Sequence, residues 1–214
     1  MKTKALITAL LLTIFTISFA AKVKLSSDAN KDLRNARLKF KVERKLEEAL
    51  VDFQSVLNED PNHLEALKVS ADIHYYLAEP DADDPDYGNK ELTVSEKIEN
   101  FSKARVLFIR YIEAANAEKK LSKEEKKWLL DSEKFAESCW VKIFKLGQDK
   151  FTEEDYEVSE KIFLQLDELV PNRKETLIYL NNIYLTKGDK DKTAEYAKKL
   201  LELEPDNKQL LSQI

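Results

Sequence analysis

Four aspartates crowd one short segment of the chain: Asp81, Asp83, Asp84 and Asp86. Carboxylate oxygens this close together are hard ligands of the kind calcium uses. An EF-hand frame opened at Asp81, however, puts Pro85 at the fifth position and Asp86 where glycine makes the sharp turn. A frame opened at Asp84 puts Ser95 where the bidentate glutamate belongs. The segment therefore reads as a solvated acidic loop, and a calcium-dependent regulator working through Asp81–Asp86 is the alternative. His63 follows Pro61-Asn62 in a turn and His74 falls in a helical run, and neither stands at a metal-ligand or nucleophile spacing. Cys139 is the only cysteine, so no intrachain disulfide can form. Lying between Phe135 and Ile143 on an apolar face, it reads as a small buried hydrophobe. No glycine-rich phosphate loop, Gly-x-Ser-x-Gly or His-Glu-x-x-His occurs. No catalytic residue, cofactor or metal ligand is assigned.

The elements that carry these residues are helical. From Lys174 to Asn207, apolar residues recur in threes and fours, as Leu177, Leu180, Ile183 and Tyr184, then Ala194, Ala197, Leu200 and Leu201. That spacing marks one face of a helix, with no strand alternation. Between the runs, Gly188 can take the left-handed conformation that ends a helix, and Asp189 can accept from the free N–H groups opening the next. Pro205 stops the second run. The unit recurs. Pro205 lies 34 residues after Pro171, and the spacing Ser159-x3-Phe163-x7-Pro171 is found again as Ala49-x3-Phe53-x7-Pro61.

A 34-residue helix–turn–helix period with small, aromatic and proline residues in these places resembles the tetratricopeptide repeat family. The resemblance covers nearly all of the chain after its first 25 residues. It implies an all-α fold, a right-handed solenoid of antiparallel helix pairs, and a surface that holds another protein. The expected repeats span about 27–61, 62–117, 122–171 and 172–205, followed by a short cap over 206–214. In the second repeat, Leu67 and Ala71 take places where a bulky and a small residue let helices approach.

Two departures from the family interrupt this pattern. The acidic segment, about 79–91, is inserted inside the second repeat. After it, Thr93 with Glu96 and Ser122 with Glu125 form capping boxes. They open helices of about 24 residues, or ~36 Å at 1.5 Å per residue. The middle of the chain thus predicts an elongated hairpin, Val94 to Ala117 against Lys123 to Gly147. Gly147 is read as that hairpin's C-cap, leaving Gln148 to Phe151 as a small insertion. The competing register places Leu146-Gly147 inside a helix, at the family's Leu-Gly position. The first helix is expected from Ser27 to Val42 and its partner from Arg44 to about Asn58.

Residues 1–20 read as a secretory signal: Lys2 and Lys4, an apolar run from Ala5 to Ile17, then Ser18-Phe19-Ala20. Cleavage before Ala21 would export the protein, to a periplasm first of all. An uncleaved anchor on a membrane-tethered assembly factor is the alternative. Beyond residue 20 the chain is net −7, which argues against a nucleic-acid partner.

Carried over by position, the family's concave groove would take Lys31, Arg34, Leu38 and Lys41 from the first repeat. Glu65, Lys68, Asp72, Tyr75 and Tyr76 would come from the second, and Ile178, Asn182, Leu185 and Thr186 from the last. Some relatives clamp a C-terminal carboxylate with lysine and asparagine here. Arg34 and Lys68 are basic, but Leu38 and Asp72 stand where asparagine is wanted. The expected role is a non-enzymatic scaffold or adaptor in the cell envelope, holding a peptide or helix in this groove or on the long hairpin. At the other end, Leu210, Leu211 and Ile214 are expected against Tyr196 and Leu200. This short cover would leave an apolar end able to dock a partner or a second copy.

Overall fold

The computed structural model describes residues 23–87 and 90–211. The proposed signal and Ile214 lie outside them. The chain divides into two compact units, one ending at His63 and the other beginning at Leu64.

In the first unit, α1 (Ser27–Leu38) pairs with α2 (Leu46–Glu59). Ala29, Leu33 and Ala36 recur on one face of α1, and Leu46, Ala49, Phe53, Val56 and Leu57 on one face of α2, and all are buried. Ser26 accepts from the Ala29 N–H and donates through Oγ to Glu59 at 2.7 Å, so the start of α1 is tied to the end of α2. The pair is therefore antiparallel. The expected helix to Val42 is only partly α-helical. Lys39–Glu43 form a π-helical turn, closed by Arg44 in the left-handed region at φ 53°. No glycine or proline stands here to end the helix. Its last turn widens instead, until the Lys45 N–H reaches the Lys39 carbonyl at 3.0 Å.

In the second unit, α3 (Leu64–Ala78) is followed by the two longest helices, α4 (Val94–Ala117) and α5 (Lys123–Thr152). Then come α6 (Tyr156–Leu169), α7 (Lys174–Lys187), α8 (Lys190–Leu203) and the one-turn α9 (Lys208–Leu211). Each packs on the next in sequence, and α3 also touches α5. Both expected capping boxes are formed, at Thr93/Glu96 and Ser122/Glu125. The α4–α5 hairpin is antiparallel: the Tyr111 hydroxyl donates to the Glu125 carbonyl near its tip, and Phe108 stacks on Phe135 further down. Leu67 and Ala71 are fully buried, as the family pattern implied. Gly188 takes φ 72° and Asp189 caps α8 through the Lys192 N–H at 3.1 Å. The fold is all-α, built of antiparallel helix pairs with an elongated central hairpin.

The reading of Gly147 as a C-cap is corrected. Gly147 lies inside α5, which runs on through Gln148–Phe151 to Thr152. The turn comes later, at Glu153–Asp155, with Glu154 in the left-handed region. The ring of Phe163 on α6 packs against the bare glycine backbone. Ser159 donates to the Gly147 carbonyl at 3.0 Å. The glycine is there for close approach, not to end a helix.

Candidate functional site

The expected binding residues fall into three sets that differ in what their side chains are free to do. In the first unit, Lys31, Arg34, Leu38 and Lys41 are all exposed on the side of α1 and the π turn away from α2's core. None of the three cations has a hydrogen bond or ion pair with a described residue. Leu38 is 48% exposed, and Val42, which the groove pattern did not include, is 71% exposed. Lys39 differs, since its ammonium lies 2.7 Å from Asp52 on α2. The result is a helix face carrying free positive charge around two uncovered aliphatic side chains.

The set on α3 is largely engaged within its own unit, and Lys68 alone of it is buried. Lys68 is 5% exposed, its Nζ 2.6 Å from Asp72 and 5.6 Å from the centre of the Phe108 ring on α4. Burial pushes the Asp72 carboxyl up, and Lys68 only partly offsets that. Tyr75 meets Phe101 and Phe135 edge-on, and its hydroxyl lies 2.9 Å from Ser138 Oγ on α5. These residues fasten α3 to the long hairpin. Sequence periodicity could not show this, because the inserted loop hides which helix covers α3.

On α7, Ile178, Asn182, Leu185 and Thr186 face solvent, with Leu185 at 53%. The other face of the helix holds Leu177, Leu180 and Ile183, all fully buried. Just before α7, Arg173 lies 3.3 Å from the centre of the Trp140 ring and donates to both Glu137 oxygens, at 2.9 and 2.6 Å. The bond to Glu137 holds the guanidinium charged and, in return, keeps the Glu137 carboxyl below its usual range.

The residues weighed for chemistry have structural partners. Asp84 is not a solvated loop residue. It is 8% exposed, accepts from the Asp86 and Tyr87 N–H groups at 2.9 and 3.1 Å, and takes a hydrogen bond from the Tyr76 hydroxyl. Asp81, Asp83 and Asp86 remain exposed. His74 places Nδ1 2.9 Å from Asn100 Oδ1, and burial lowers its pKa. Cys139 is fully buried, which pushes its thiol up to about 12 and removes the thiolate a nucleophile needs. At the C-terminus, Leu210 joins the buried core that includes Tyr196 and Leu200, but Leu211 is 56% exposed. In a one-turn helix, adjacent leucines cannot both face the same neighbour. Among the described residues, no helix is long and apolar enough to cross a membrane.

No family model matches the chain, and no curated protein matches it. Solved structures do. YrrB, a tetratricopeptide protein with an unusual peptide-binding site, is 19% identical, with 86% of this chain and 91% of that one covered and a TM-score of 0.32. TTC0263, a tetratricopeptide protein of Thermus thermophilus, is 20% identical over 86% of this chain and 96% of that one, with a TM-score of 0.31. MamA is 19% identical, covering 80% and 95%, with a TM-score of 0.30.

Proposed function

We propose that the protein is a non-enzymatic scaffold or adaptor of the cell envelope, and that it holds an acidic segment of a partner protein on the first unit. One observation supports this reading above the others. Among the described residues, Lys31, Arg34 and Lys41 stand exposed and unpaired beside the exposed Leu38 and Val42. An amphipathic helix with acidic flanks would cover the two aliphatic side chains and neutralise the three cations. Beyond residue 20 the chain is net −7, so this face runs against the overall charge balance. Lys68, Asp72 and Tyr75 hold α3 against the long hairpin within the second unit, and Asn182 and Leu185 would form a separate polar–apolar strip.

The test is co-purification of the native protein with its partner, followed by reversal of the three charges. Lys31→Glu, Arg34→Glu and Lys41→Glu together should weaken binding and flatten its salt dependence. Unchanged affinity in a folded triple variant would move the site to the long hairpin. Export rests on the apolar run from Ala5 to Ile17, and that same run favours the membrane-anchored alternative. The mass of the exported protein separates them, because cleavage removes residues 1–20.

A further inference from the structure

The end of α3, the start of α4 and the C-terminal half of α5 enclose a cleft of about 200 Å³. Its floor is apolar: Ala78, Phe101 and Leu146. Its rim carries Lys97, Lys142 and Lys145 against only Glu79 and Asp149, which leaves one cation in excess. Lys142 is already bonded to the Glu79 carboxylate, so one carboxylate sits at this mouth now. The side-chain ammoniums of Lys97 and Lys145 make no hydrogen bond or ion pair with any described residue. Pockets for drug-sized ligands run from about 300 to 1,000 Å³, so this cleft has room for a single residue-sized group.

We propose that the cleft binds one carboxylate carried on a short apolar stem, with the stem on Phe101 and Leu146 and the carboxylate between Lys97 and Lys145. The apolar floor calls for methylene groups, because the partly exposed side chain of Leu146 is what the stem would cover, beside the buried Phe101. The single excess charge matches a monoanion, and lysine ammoniums act on it as point charges. A phosphate dianion would leave a charge unmatched. Two sources share this chemistry: the glutamate side chain of a partner polypeptide and a free short-chain carboxylate. The site is separate from the basic face of the first unit and does not depend on it.

The experiment titrates the isotope-labelled full chain with hexanoate and hexanamide while backbone amide signals are followed by NMR. Hexanoate should shift Phe101, Lys145 and Leu146 saturably, with a dissociation constant on the order of 1 mM. Hexanamide should bind about tenfold more weakly, since it keeps the stem and lacks the charge. Lys97→Gln with Lys145→Gln should abolish the difference between the two. Neither lysine holds another described residue, so the double variant should keep its fold and its other signals. Glu79→Gln should tighten hexanoate, because Lys142 is then released to it. An acetylated, amidated Gly-Gly-Glu-Gly-Gly peptide that shifts the same signals assigns the site to a partner's glutamate. Binding of hexanoate alone assigns it to a free carboxylate. Equal affinity for hexanoate and hexanamide, or no saturation by either, overturns the proposal.

Discussion

A methyl group placed on Gly147 would lie 2.8 Å from Cζ of the Phe163 ring. The contact joins α5 to α6 and fixes how closely the two helices approach. Gly147→Ala gains up to about 1 kcal/mol of helix propensity, but it forces the ring aside at a cost of about 1–3 kcal/mol. The expected outcome is a net loss in urea unfolding. Adding Phe163→Leu should remove most of that penalty, because the smaller side chain no longer meets the methyl. Losses that simply add in the double variant would mean that the two residues do not touch.

Tyr184 is 2% exposed, stacks on Tyr196 at 5.4 Å, and donates to Glu160 at 2.8 Å. Tyr184→Ala should cost about 3–5 kcal/mol, the range for emptying an aromatic site. Tyr184→Phe keeps the ring and loses only the hydroxyl's bonds to Glu160 and Lys192, so it should cost about 1 kcal/mol. Chemical denaturation of both variants checks the order.

Glu160 gives the last helix pair its pH dependence. Burial pushes its carboxyl up, but bonds from Lys187, Tyr184 and Lys192 outweigh this and hold it below the usual range. A depressed folded pKa gives stability that is fully present above the unfolded value and lost as pH falls through the folded one. The advantage of the native protein over Glu160→Gln should therefore be full at pH 7. It should shrink on acidification below the ordinary glutamate range, about pH 4.3. Urea midpoints of the two proteins across that range test it.

Asp84 organises the start of the insertion from within. Asp84→Ala would leave the Asp86 and Tyr87 N–H groups and the Tyr76 hydroxyl without their acceptor, at about 1–3 kcal/mol. The loss should be local, read as faster proteolytic cleavage within residues 79–91 and little change in the unfolding of the helices. Equal cleavage rates in the variant and the native protein would count against this role.

Deleting residues 208–214 removes Leu210 from the core that includes Tyr196 and Leu200. Light scattering should then show more self-association than for the intact chain. Leu211→Asp, altering a side chain that already faces solvent, should leave the native protein's association state as it is if the segment is only a cap. Reduced self-association in that variant would identify Leu211 as part of a docking surface.

What could be read from the sequence was local in its physics. The capping boxes at Thr93/Glu96 and Ser122/Glu125, and the stop and start at Gly188-Asp189, each depend on residues within one turn, and all three formed. Gly147 was different. Lys145 beside it looked like a helix end, while the deciding contact, Phe163, stands 16 residues away on another helix. Asp84 likewise took its place from Tyr76, across a turn whose fold no motif announces. Among the candidate binding residues, the free charges on α1 follow from a solvent-facing position on an amphipathic helix. The burial of Lys68 does not, because it needs the Phe108 ring of α4 and the neighbouring carboxylate of Asp72.

The length of α5 changes how the second unit can come apart. Arrays of separate helix pairs behave as chains of neighbours, in which a terminal pair can melt while the rest persists. Here a single 30-residue helix meets α3 and α4 along much of its length and α6 along its second half. With no break at Gly147, fraying cannot stop between these neighbourhoods without breaking a continuous ladder of backbone hydrogen bonds. The helix acts as a splint. Amide exchange along α4, α5 and α6 should accordingly report one shared opening free energy, with independent fraying confined to α8 and α9.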